Sequence, residues 1–151
     1  MLMFPHWQRR VSGQASESFT PETERDWFEA LLGLARYLRT PDGCPWDREQ
    51  TAADFARFTR GEVDELLEAL ETGDRAHIAE EFGDAFFCLL AVAAAAEERG
   101  LFRTEDALRA IHDKMIRRHE HVFGDEKAAT PEDAVRVWNA IKAREKNGGE
   151  G

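Results

Sequence analysis

The chain has 151 residues, 42% of them apolar and 33% charged, which is the profile of one globular domain long enough to bury a core. A formal net charge of −10 argues against a general nucleic-acid binder, which needs a basic surface to displace counterions, but it leaves room for a small phosphate ligand held by a local cluster. Cys44 and Cys88 are the only cysteines, so no disulfide framework is implied and a reducing cytoplasm is expected. No apolar run approaches the roughly 18 residues of a membrane span, and in MLMFPHWQRRV the basic pair follows the apolar residues, the wrong order for a secretory signal.

Residues 1–20 mix Pro, Gly, Ser and Gln without periodicity and read as a flexible arm; residues 21–146 read as the folded domain and 147–151 as a disordered tail. The first predicted helix opens with Thr20 as N-cap and Pro21 at the first helical position, and carries Trp27, Leu31, Leu34 and Leu38 at helical spacing. PDGCPWD, with two prolines and a glycine, reads as a loop. A second helix starts near Thr51, where TAAD has the form of a capping box with Asp in place of Glu, and ends with Gly73 as C-cap. The third runs from about Arg75 to Arg99 and stops at Gly100; its section from Ala85 to Ala96 is apolar on every face, which predicts the most buried helix. The fourth runs from Thr104 to about Val122. The fifth opens at Thr130–Pro131 and carries Val135, Trp138 and Ile141. The expected fold is all-α, a bundle of about five helices.

Two of these helices place acids three apart, Glu62 with Glu65 and Glu81 with Asp84, so each pair shares a face. If the short ETGD turn joins antiparallel neighbours, four carboxylates converge. Glu68, Glu71 and Glu80 read as solvated surface. Asp84 is flanked by Phe82, Gly83, Ala85, Phe86 and Phe87, where an ionised carboxylate costs several kcal/mol unless compensated. A hard divalent cation compensates it, and all-oxygen ligation suits Mg²⁺ or Mn²⁺. Gly61 costs about 1 kcal/mol against alanine inside a helix, and marks either a ligand's approach or a packing contact.

GEVDELLEAL followed by AEEFGDAFFCLL resembles the ExxE…ExxD pattern of the MazG-like all-α nucleoside triphosphate pyrophosphohydrolases. DGCPWDREQT, IHDKMIRRHEHVFGD and VWNAIKAREK are similar to other segments of that family, so the resemblance spans Trp27 to Lys146. It departs twice. Gly61-Glu62 stands where MazG proper has paired glutamates, as in the GExxE of related deoxycytidine triphosphatases, and Glu120 stands where proline is usual. One such domain is present where some members carry two.

The resemblance implies Mg²⁺-dependent hydrolysis of a (deoxy)nucleoside triphosphate to monophosphate and pyrophosphate, a nucleotide-pool housecleaning role, with Mn²⁺ able to substitute. It makes Glu62, Glu65, Glu81 and Asp84 both catalytic residues and metal ligands, one of them orienting the water. It gives Lys114, Arg118 and Lys142 phosphate contacts and Trp138 a base-stacking ring, while Trp46, with Asp47, shapes the nucleotide pocket. It also implies a homo-oligomer, most simply a dimer that completes the bundle. Beside these roles stand plainer ones: cations at a helix C-terminus for Arg117, Arg118, His119 and His121, core for Trp138 and Cys88, loop packing for Trp46.

His112-Asp113 is also the dipeptide of HD-type phosphohydrolases, with His77 and Asp125 as nameable further ligands. A non-catalytic helical dimer whose acidic cluster binds a basic partner is a further alternative. No histidine has Glu three residues before it, which excludes a ferritin-like di-metal bundle, and no GxxxxGK[ST] is present.

Overall fold

A computed structural model describes residues 20–148, and every regular element among them is a helix. In chain order these are α1 Glu24–Leu38, α2 Pro45–Glu49, α3 Ala52–Thr72, α4 Arg75–Glu98, α5 Thr104–Arg118, α6 Glu120–Phe123 and α7 Pro131–Gly148. The expected arm lies outside the described residues except for Thr20; of the tail expected from residue 147, Asn147 and Gly148 instead continue the last helix, and the rest lies outside the described residues. The helices fall into two compact units, one before and one after the boundary at Arg103/Thr104. Among the described residues no helix is long and apolar enough to cross a membrane.

In the first unit, α1 begins later than Thr20 and Pro21 suggest. Thr23 is the N-cap: its hydroxyl accepts from the Asp26 N–H, and the Asp26 carboxylate accepts from the Thr23 N–H at 3.0 Å. This reciprocal box satisfies two donors at once, which a lone Thr-Pro opening does not. The buried stripe is also rotated from the expected one. Leu32 and Ala35 pack with Leu90 and Ala94 of α4, joined by Phe28 and Leu31, while Trp27 remains 51% exposed.

PDGCPWD is less irregular than expected, because Pro45 opens the short helix α2 at a position where its missing N–H is not needed. Gly43 makes the preceding turn possible; a Cβ there would sit 2.3 Å from the Leu38 carbonyl oxygen. Arg39 pins this segment, donating to the carbonyl oxygens of Asp47 (2.6 Å) and Gln50 (3.1 Å) and to Glu98 on α4 (2.7 Å).

The box at Thr51 and Asp54 caps α3 as expected, and Gly73 ends it with φ 73°, a left-handed conformation that favours glycine. Asp74 then caps α4, accepting from the N–H groups of Ala76 and His77. The tight turn folds α3 and α4 into a hairpin that packs along its length. α4 is the central element: Leu90 and Ala94 meet α1, and Ala91 and Ala95 meet Phe55 of α3. Ala93 to Ala96 are all buried as predicted, although Phe82 and Leu89 project outward at 61% and 53% exposure.

In the second unit, the predicted fourth helix is two. α5 ends at Arg118, and His119 leaves helical geometry (φ −101°, ψ 43°) to cap α6. The His119 ring nitrogen also lies 2.6 Å from the Met115 carbonyl oxygen, within the turn it has left. Glu120 is therefore the first residue of a new helix, a position that suits an acid through the dipole and a proline through its absent N–H. That accounts for the exchange of one for the other. Thr130 and Pro131 open α7 as expected, with Thr130 and Asp133 bonded reciprocally. Val137 and Ile141 are buried, and Val135 is exposed.

Candidate metal centre

The hairpin brings three of the four singled-out acids together. Glu62, Glu81 and Asp84 each offer an oxygen, and these oxygens lie within 4.8 Å of one another. Glu65, one turn along α3 and exposed, lies outside this trio but acts on it electrostatically. Which acid is buried differs from the sequence expectation. Asp84 is exposed despite its aromatic neighbours, because those rings pack elsewhere: Phe86 and Phe87 turn to the α1 core and Phe82 turns outward. The buried acid is Glu81, at 7% exposure. Its Oε1 lies 3.0 Å from His77 Nε2, one helical turn earlier, while its Oε2 is buried with no partner among the described residues.

The electrostatics follow from this packing. Partial burial raises the Glu62 carboxyl above its ordinary range, and the neighbouring charges of Glu65, Asp84 and Glu81 add to the rise. Burial also raises the Cys88 thiol, again with help from Glu62 and Asp84. The arrangement fits a hard divalent cation: the donors are all carboxylate oxygens, and one buried oxygen lacks any other partner.

Beside the trio lies a cavity of about 500 Å³ bounded by Trp46, Asp47, Phe55, Arg57, Phe58, Gly61, Glu62, Phe87, Cys88 and Ala91. Trp46 stacks on Phe58 with ring centroids 5.7 Å apart and meets Phe55 edge-on. Sequence reading found Trp46 and missed both phenylalanines, although they stand three apart at the start of the acidic helix. Gly61 borders the cavity, and a Cβ built on it would meet nothing within 4 Å. Among the described residues, no packing contact accounts for this glycine.

In the second unit, Arg118 lies 5.1 Å above the Trp138 ring, with His119 against the ring's edge. Arg118 and Arg117 both donate to Glu145, which holds that carboxyl below its ordinary range. Glu145 is a partner that sequence reading missed. Lys114 is half-buried on α5 and Lys142 is exposed on α7. His112 and Asp113 contact each other at 3.0 Å on the exposed face of α5, but they are not part of any cluster of three or more potential ligands among the described residues. His77, the ligand named for an HD-type site, is engaged by Glu81 instead.

The fold and the site define an all-α protein with a candidate divalent-metal centre on a helical hairpin, next to an aromatic cavity. Residues 50–123 match the model of the MazG nucleotide pyrophosphohydrolase domain. A crystal structure of a MazG-related protein from Thermotoga maritima superposes with a TM-score of 0.65 at 31% identity, over 76% of this chain and 98% of that one. The chain belongs to the MazG family. It is 40% identical over 119 residues to the nucleoside triphosphate pyrophosphohydrolase/pyrophosphatase MazG of Thermotoga maritima, covering 79% of this chain and 45% of that protein. It is likewise 40% identical over 120 residues to the nucleoside triphosphate pyrophosphohydrolase of Escherichia coli K12 (79% and 46%) and to the uncharacterized protein YabN of Bacillus subtilis (80% and 24%). It thus spans less than half the length of these three relatives.

Proposed function

We propose that this protein hydrolyses (deoxy)nucleoside triphosphates between the α and β phosphates, releasing a nucleoside monophosphate and pyrophosphate, in a nucleotide-pool housecleaning role. The observation that carries the proposal is the buried, unpartnered Glu81 oxygen in a carboxylate trio, on a chain of the MazG family. Glu62, Glu81 and Asp84 would hold Mg²⁺, with Mn²⁺ as a substitute. When bound, the cation offsets the charge of the triphosphate and of the departing pyrophosphate. Glu65, exposed and outside the trio, is the carboxylate left to orient the attacking water and accept its proton. Water adds to the α phosphorus, the bond to the bridging oxygen breaks, and pyrophosphate leaves with the electron pair.

Trp46 and the Phe55 and Phe58 rings give the nucleoside a flat apolar wall beside Glu62, where stacking binds any base. The family resemblance gives Lys114, Arg118 and Lys142 to phosphate and Trp138 to a base; all four stand in the second unit. Val63, Leu67 and Leu70 form an exposed apolar stripe on α3, and Phe82 and Leu89 are exposed on α4; they support a homo-oligomer, most simply a two-fold dimer. The compartment that fits the two free cysteines is the cytoplasm. Incubation with a nucleotide panel and Mg²⁺, followed by ³¹P NMR, tests the reaction. Monophosphate with pyrophosphate is the expected result; diphosphate with orthophosphate, or no turnover of any nucleotide, overturns the proposal.

A further inference from the structure

His77 and Glu81 stand four apart on α4, and on an exposed helix such a pair adds only a few tenths of a kcal/mol. Here the acid is buried, which changes what the contact does. His77 Nε2 lies 3.0 Å from Oε1, and because a carboxylate only accepts hydrogen bonds, the Nε2–H tautomer is the one suited to face it. The His77 backbone N–H is itself tied to the Asp74 carboxylate that caps α4. Glu81 thus has Oε1 facing His77 and the other oxygen, Oε2, buried without a partner among the described residues. A glutamate side chain free to rotate would turn both oxygens toward water. Held by His77, it stays beside Glu62 and Asp84, within 4.8 Å of both.

We propose that His77 is a positioning residue that fixes Glu81 in its ligating orientation and leaves Oε2 as the oxygen offered to the cation. The proposal rests on the reading of the trio as a metal site. Partners that orient a ligand in this way typically change metal affinity by about 10–100-fold when removed. His77 is half-exposed, so replacing it leaves the core intact.

The test measures Mn²⁺ binding to the full chain by electron paramagnetic resonance, without nucleotide. His77→Phe keeps a ring and removes the donor; it should weaken Mn²⁺ binding by about tenfold or more. His77→Gln restores an N–H donor and should recover most of that affinity. Glu71→Gln, on the exposed face of α3, should leave it unchanged. If His77→Phe binds Mn²⁺ within twofold of wild type, or His77→Gln binds as weakly as His77→Phe, the positioning role is wrong, even if melting temperatures fall. If the wild-type protein itself takes up no Mn²⁺, the metal reading fails and the positioning role falls with it.

Discussion

Glu62→Gln removes one charge from the trio and nearly preserves shape, so it isolates the electrostatic strain of the metal-free site. At 4.8 Å, the upper bound on the separation of these oxygens, two carboxylates repel by about 3.5 kcal/mol at an effective dielectric near 20 and by about 0.9 kcal/mol in bulk water. Glu62 is half-buried and Asp84 exposed, so solvent screening places the pairs near the lower figure. Loss of the repulsions with Glu81 and Asp84 should then stabilise the metal-free protein by about 1–2 kcal/mol at pH 8. At this chain length each kcal/mol moves the melting temperature by roughly 2–4 °C, so a rise of about 4 °C is expected in chelator. The order should reverse with metal. Wild type gains about 2.7 kcal/mol at a Mg²⁺ concentration 100 times its Kd, and a variant with a weakened site gains less.

The effect also has a pH signature. Because the Glu62 carboxyl is raised in the folded state, its protonated form stabilises the fold, and this contribution is lost as pH rises from the ordinary glutamate range through the raised value. The difference between Glu62→Gln and wild type in chelator should therefore shrink toward pH 4. Differential scanning fluorimetry of both proteins, with EDTA and with Mg²⁺, reads all of this, with Asp84→Asn as a second neutralisation. Melting of both variants at or below wild type in EDTA at pH 8, or an equal Mg²⁺ gain in all three proteins, refutes the reasoning.

Gly61→Ala should raise stability by about 1 kcal/mol in thermal or urea unfolding, since helix propensity improves and the added methyl meets nothing. A destabilised variant would mean that this backbone is closer to a neighbour than the cavity indicates. Asp26, Asp54, Asp133 and Glu145 are all held below their ordinary range by hydrogen bonds. Their stabilisation is present above the ordinary carboxylate range and is lost as pH falls through the lowered values, so Asp54→Asn should flatten the acid limb of the stability profile. A profile unchanged in shape would count against the capping box as its source. Light scattering at micromolar concentration should return about twice the 17.2 kDa of the chain, and the monomer mass would rule out the dimer. Asp84→Asn should abolish pyrophosphate release while Glu71→Gln retains it; an active Asp84→Asn would return these acids to ordinary surface charge.

What the sequence determined by itself was local. The Thr51–Asp54 box, the Gly73 stop and the Thr130–Pro131 opening are interactions among residues a few positions apart, so they were legible without any neighbour. The same holds for the three-residue spacing of the acids and for the alanine-rich central helix, and the resemblance to the MazG-like family rested on those same segments. Tertiary packing decided what spacing left degenerate. Trp27 and Phe28 are adjacent aromatic residues that spacing does not separate, and only the seat of Leu90 and Ala94 on α1 draws Phe28 in and leaves Trp27 exposed. In the same way, α4 carries Glu81 and Asp84 three apart, yet packing buries the first and leaves the second in water. The contact with His77 and the unpartnered Oε2 follow from that rotation. Periodicity fixes which residues share a face; the neighbouring helices fix which way that face turns, and burial, charge and the character of the site depend on the turn.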